Sequence, residues 1–196
     1  MIPIKKYLYA FLILLAGCMW IPCHAQKKYE REYAIRQSAV PGKAVEFVKS
    51  MFKKDKIHWY GEESLKETTI EAKLKSGGKH YSIEFDKSGE IQDIEILSRF
   101  SRIDAETSEA IRKRLDKEFT KYKVVKTQIQ YKGSKSDLKR AILSDKVPAA
   151  IDMHYELILN AVWDKKINYF EVLCDHEGSV VSIHEVVQRN SDNLIY

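Results

Sequence analysis

The 196-residue chain has little of what usually announces a chemistry. It holds three cysteines, and two of them, Cys18 and Cys23, fall in the first 25 residues. A disulfide framework is therefore excluded, and the fold has to rest on an apolar core. No long apolar run follows Ile21, so nothing later in the chain reads as a helical membrane span. No H-E-x-x-H, C-x-x-C or H-x-H spacing occurs, and there is no G-x-S-x-G, phosphate loop or dinucleotide fingerprint. Charges of both signs are interspersed, and the formal net charge is only +5. That excess favours solubility and gives no footing for nucleic acid as a partner.

What is present begins with an export signal. Lys5 and Lys6 precede an apolar run from Tyr7 to Ile21, about 15 residues and at the short end for a span. Two cleavage sites follow. Leu15-Ala16-Gly17-Cys18 reads as a lipoprotein box, and Cys23-His24-Ala25 before Gln26 reads as an ordinary signal-peptidase site. Cutting after Ala25 is favoured: "MWIP" prolongs the apolar run past Cys18, and Pro22 then breaks it. The mature formal charge falls to +3, because the signal contains Lys5 and Lys6 and no acid. The alternative leaves Cys18 as a lipid anchor, the one route by which a membrane would be a partner.

Residues 26–38, "QKKYEREYAIRQS", read as a polar leader or tether. From Pro41, the residues Ala44, Val45, Phe47, Val48, Met51 and Phe52 recur at spacings of three and four, which predicts an amphipathic helix over 41–54. The period then changes to two in "KIHWYGEE" (56–63), "TIEAKLKS" (69–76), "KHYSIEFD" (79–86) and "EIQDIEIL" (90–97), separated by Gly77-Gly78 and "DKSG". This predicts an antiparallel meander. A second helix follows over 104–119, capped by Asp104 or Thr107 and seamed by Ile111, Leu115 and Phe119. Strands are expected at 123–132, 151–163, 166–174 and 179–188. Residues 133–148 read as an insertion with a short helical turn at 137–143, and 189–196 as a C-terminal tail.

The order of elements repeats. "HYSIEFDKSGEIQDIEI" (80–96) aligns with "YFEVLCDHEGSVVSIHE" (169–185), placing Asp86 and Gly89 on Asp175 and Gly178, and Phe85 on Cys174. The expected fold class is therefore α+β: a tandem repeat of an amphipathic helix and an antiparallel meander, at 39–101 and 102–188. The helices would pack on one sheet face and leave the other open.

A helix beginning near "VP", the strand "IHWYGEE" with Trp59, and the paired strands around "YSIEFDKSGEI" resemble the PepSY-like secreted proteins of Bacteroidetes. That group is similar to the β-lactamase-inhibitor-protein fold, itself a tandem repeat of a helical and a sheet unit. The resemblance spans most of residues 39–188. It implies a fold, an exported location and an inhibitor-like or binding role, and it offers no catalytic residues to carry over.

Candidate chemistry is sparse. His58, His80, His154, His176 and His184 lack ligand spacing, and solvent-facing strand positions account for most of them. Asp86-x-Ser88-Gly89-Glu90 reads as a hairpin turn in preference to a calcium loop. Cys174, with His176 nearby, reads as a small core hydrophobe. Glu62, Glu63, Glu84, Asp93, Glu95 and Glu171 read as a solvated sheet face. The aromatic strands leave Tyr60, His80, Tyr155 and Tyr169 as the candidate protein-binding face. The expectation is an exported, non-enzymatic cell-envelope protein, periplasmic or secreted, that needs no cofactor and binds a protein or peptide, inhibitor-like, through the open face. The alternatives are a small-ligand or metal carrier using the sheet histidines, and an enzyme dependent on Cys174.

Overall fold

The computed structural model describes residues 26–188 apart from 66 and 145. The expected signal peptide (1–25), with Cys18, and the expected tail (189–196) lie outside the described residues. Among the described residues nine strands are present: β1 (Gln26–Ile35), β2 (Ile57–Ser64), β3 (Thr68–Ser76), β4 (Lys79–Asp86), β5 (Ile91–Ser98), β6 (Lys121–Lys132), β7 (Asp152–Trp163), β8 (Lys166–Asp175) and β9 (Val180–Gln188). Three helices interrupt them: α1 (Gly42–Met51), α2 (Ala105–Glu118) and α3 (Lys135–Leu143).

The strands follow one another in order around a single closed barrel. This overturns the expected α+β tandem repeat with an open sheet face. Two features that hydrophobic period does not reveal account for the closure. First, residues 26–35 are no leader. Gln26 to Glu30 pair in parallel with His184 to Gln188 of β9, and Glu30 to Ile35 pair antiparallel with β2, so β1 joins the two ends of the sheet. Second, the sheet runs unbroken across the boundary between the expected repeats, because Ile94 to Ser98 of β5 pair with Tyr131 to Thr127 of β6. Closure removes both edge strands, whose unpaired backbone groups would otherwise need cover.

Two of the helices begin at side-chain caps. The Asp104 carboxylate accepts the Thr107 N–H at 2.9 Å, and Glu106 adds negative charge to the first turn of α2. Ser134 Oγ accepts the Asp137 N–H at 3.2 Å and so starts α3, which is a nine-residue helix inside the expected insertion.

Apolar residues fall on the outer side of the wall in two clusters. One gathers Ala44, Phe47 and Val48 of α1 and Leu138 of α3 against Trp59, Ile83, Phe85 and Ile94. Phe47 meets Phe85 edge-on at 6.0 Å between ring centroids. The other gathers Ile111 and Leu115 of α2 with Phe119, Leu157, Leu159, Phe170, Val172 and Cys174.

The turns at Asp86 and Asp175 are built alike. In each, the glycine N–H donates to the aspartate carbonyl, Gly89 to Asp86 at 2.8 Å and Gly178 to Asp175 at 3.0 Å. Each aspartate Oδ1 also accepts the backbone N–H four residues on, from Glu90 at 2.9 Å and from Ser179 at 2.8 Å. Both glycines have φ above +80°, a region where the Cβ of an L-residue would clash with the backbone. A Cβ on Gly178 would also stand 2.6 Å from the Thr107 carbonyl oxygen, and one on Gly89 would stand 2.7 Å from Pro41 Cβ. The turns are thereby pressed against the starts of α2 and α1.

Candidate functional site

Because successive side chains alternate across a strand, closure sends the polar half of each strand inward. Those residues surround a lumen of about 560 Å³. Ten carboxylates and four lysines line it, so its formal charge is opposite in sign to that of the whole chain.

Two of the lysines are fully engaged. Lys28 Nζ lies 2.7 Å from Glu30 and 2.7 Å from Glu171. Lys73 Nζ lies 2.6 Å from Glu32 and 3.1 Å from Glu71. Burial opposes the charge of Lys28, but Glu171, Glu30 and Glu156 outweigh it and hold its pKa above the ordinary lysine value. Lys73 is raised likewise, burial being outweighed by Glu71 and Glu32. These pairs tie β1 to β8 and to β3 across the lumen.

The remaining carboxyls are short of cations. Burial, then the charge and hydrogen bond of Glu30, push Glu62 up to about 9. Burial and then Glu84 push Asp93 up to about 8. Glu156 rises to about 7 through burial and then Glu171. Glu95 is held well above its ordinary value by burial, then by Glu156 and Asp93. Glu84 is raised mainly by burial. Crowded carboxyls in a poorly solvated space cannot all ionise, so at neutral pH the lumen retains protons. Gln128 donates to Glu95 at 2.7 Å, and Gln130 donates to Asp93 Oδ2 at 3.1 Å. Asp93 Oδ1 and Gln130 Oε1 are buried and meet no hydrogen-bond partner among the described residues.

A second cavity of about 400 Å³ shares Glu32, Lys73, Ser82, Lys126 and Gln128 with the lumen, and so forms a mouth to it. Its rim carries Tyr60, His80, His58, Lys56, Lys75 and Leu97. Lys73 Nζ sits 5.0 Å from the centre of the Tyr60 ring.

The structure therefore divides the predicted binding face. It brings Tyr60 and His80 together at the mouth. Tyr155 is buried at 7% exposure in the α2 cluster, on the outer side of the wall. Tyr169 is half-buried on β8 opposite Val186, in the same strand phase as Glu171, and lines neither cavity. The acids read as a solvated sheet face are corrected: Glu62, Glu84, Asp93, Glu95 and Glu171 line the lumen, while Glu63 remains outside near Arg31. Their alternation with apolar neighbours along the strands is visible in the sequence. Nothing there revealed that the face they share is closed.

The other candidates are accounted for locally. Cys174 is fully buried, and desolvation, then Asp175, pushes its thiol up to about 12. A thiol of that pKa stays protonated at neutral pH. Ser88 Oγ donates to Asp86 Oδ1 at 2.7 Å inside the hairpin turn. Among the histidines, His184 lines the lumen, His58 and His80 the mouth, and His176 sits in the exposed turn beside Glu177. Among the described residues no group of three or more His, Cys, Asp and Glu side chains is arranged to hold a metal ion.

Solved structures similar to this chain come from Bacteroides. A "putative periplasmic" protein from Bacteroides eggerthii DSM 20697 has a TM-score of 0.50 at 13% identity, over 74% of this chain and 88% of that one. A DUF2874 family protein from Bacteroides ovatus ATCC 8483 has a TM-score of 0.49 at 11% identity, over 74% and 87%. A BLIP-like protein from Bacteroides fragilis NCTC 9343 has a TM-score of 0.48 at 10% identity, over 80% and 92%. No protein-family model and no curated protein matches the sequence. At these identities the likeness is one of fold, and the eggerthii protein carries it.

Proposed function

We propose that this chain is an exported, non-enzymatic binding protein of the cell envelope, and that it takes a protein or peptide segment at the mouth of its barrel. The observation that carries this reading is the mouth itself. Tyr60 and His80 share a cavity of about 400 Å³ with Leu97, which is 38% exposed. Aromatic, aliphatic and basic groups around a concave opening are the mixture that interfaces favour. The basic rim suits a segment bearing carboxylates. An inhibitor-like role and a PepSY-like kinship belong to the same proposal; "IHWYGEE" and "YSIEFDKSGEI" support the kinship. The apolar run before Gln26 and the name of the eggerthii neighbour support a periplasmic or secreted location, with lipid attachment at Cys18 as the alternative that intact mass would reveal.

Site-specific photo-crosslinking in the producing cell tests the mouth. A photoreactive residue at His80 is expected to yield a discrete adduct that Tyr60→Ala abolishes. The same residue at Glu109, exposed on α2, is expected to yield none. Equal adducts at both positions, or none at His80, would remove the mouth as the contact.

A further inference from the structure

The lumen has acceptors in excess of donors, and two of its deepest acceptors are unmet. Asp93 and Gln130 are only 4% and 6% exposed, yet among the described residues Asp93 Oδ1 and Gln130 Oε1 meet no hydrogen-bond partner. A buried acceptor left without a donor costs on the order of 1–3 kcal/mol. Lys132 Nζ stands 3.9 Å from Asp93 Oδ2, too far for a hydrogen bond, and leaves Oδ1 unserved. Lys28 and Lys73 are occupied by their own glutamates, and Lys126 faces Glu95 and Glu156, so no lysine serves the two orphan atoms. Around the two orphan atoms the strand register sets further acids: Glu84 opposite Asp93, Glu95 opposite Gln130, and Glu156 opposite Gln128.

We infer that the lumen is a site for an aliphatic ammonium group, seated between Asp93 and Gln130 and ringed by Glu84, Glu95 and Glu156. An ammonium brings three N–H donors and one positive charge, which is what these acceptors lack. A divalent metal fits less well, because the acids are spread around the wall and form no converging ligand set. An anion would face ten carboxylates against four lysines, two of which are already engaged by glutamates. The alkyl stem would run toward the mouth, past Ile158, Leu173 and Val186 on the lumen wall or Leu97 at the rim. Binding would also displace protons now shared among the crowded acids, among them Glu156, which faces Glu171, Lys28, Lys126 and Glu95. The ammonium can belong to a free polyamine or to a lysine side chain of the segment proposed for the mouth. Only the second source rests on that reading.

Calorimetry on the mature protein tests the inference. Three probes are titrated at neutral pH and fixed ionic strength: spermidine, acetyl-Gly-Lys-Gly-amide, and the same peptide with norleucine in place of lysine. At least one amine probe is expected to bind ten-fold or more tightly than the norleucine peptide, with proton release that appears as a buffer-dependent heat. Asp93→Asn with Gln130→Leu is expected to weaken it ten-fold or more while leaving the thermal melt cooperative. Saturation by spermidine alone identifies a free amine, and by the lysine peptide alone a side chain. Binding by neither amine, equal binding of lysine and norleucine peptides, or equal displacement by magnesium chloride would overturn the site. Those wild-type outcomes stand even where the double variant fails to fold. Amine binding without His80 crosslinks would sink the mouth as a protein contact and leave the lumen site standing.

Discussion

The two sides of the barrel wall are made by the same strands and obey opposite rules. Outside, Phe85, Ile83, Leu157 and Phe170 are buried against helices and each other, and their stability is non-directional packing. Inside, Asp93 is buried and Glu84, Glu95 and Glu156 are half-buried, and they are held by register and by crowding that raises their pKa values. The difference separates where packing supplies stability from where crowded charge opposes it. An apolar cluster gains from each atom buried. A charged lumen loses by desolvation, and the loss can be recovered by a ligand of opposite charge.

Truncation on each side breaks the comparison most sharply. Phe85→Ala removes a ring that packs on both Phe47 and Trp59, and is expected to cost about 3–5 kcal/mol. Glu95→Gln replaces one carboxyl of an overcrowded set with a neutral group, and is expected to leave stability unchanged or to raise it by about 1 kcal/mol. Urea midpoints of the two variants read the contrast, and an equal loss in both would erase it.

A pH series sharpens the inner side. Glu62, Asp93 and Glu156 have folded-state values of about 9, about 8 and about 7, against ordinary values of 4.5, 3.8 and 4.5. A raised carboxyl contributes stability below its unfolded value and loses it as pH climbs through the folded value. The melting temperature is therefore expected to be highest near pH 5 and to fall toward pH 9. After allowance for shared protons the loss is on the order of 2–3 kcal/mol, or roughly 5–10 °C. Lys28 and Lys73, whose values are raised, keep their contribution throughout that window. Scanning calorimetry from pH 5 to 9 decides it; a flat or rising curve would show that the lumen acids are solvated.

The smallest effect lies in the turn that links β7 to β8, on neither side of the wall. Asp164 and Lys165 have φ of 48° and 63°, the left-handed pair of a type I′ hairpin, where Asn-Gly is preferred. Lys165→Gly is expected to add about 0.5–1 kcal/mol by relieving that backbone, read as a shift in the urea midpoint with the slope unchanged.

Much of the local structure was legible from period alone. The helix at Pro41, the helix capped by Asp104, the hairpins at Gly77-Gly78, Gly89 and Gly178, and the strands from Ile57 onward follow from spacings of three and four, spacings of two, and turn residues. β1 was not legible. Lys28, Glu30 and Glu32 face the lumen and Tyr29, Arg31 and Tyr33 the other side, so the strand carries no apolar stripe to betray it. Of the four candidate binding positions, alternation puts Tyr60 and His80 at the mouth, whereas Tyr155 sits one phase away on the packed side. The lumen acids were seen singly and read as solvated, because alternation tells which residues share a face and says nothing of what lies opposite that face.

The sequence by itself determined the elements, their turns and the segregation of apolar from charged residues within each strand, since these depend on neighbours a few positions apart. Only the tertiary structure decided that the charged face is an interior. That outcome rests on β1 pairing with β9 some 158 positions later, Gln26 beside His184. Such a pairing bends the sheet into a ring, gathers acids from every strand into one poorly solvated space, and there turns ordinary carboxylates into a site that holds protons and seeks a cation.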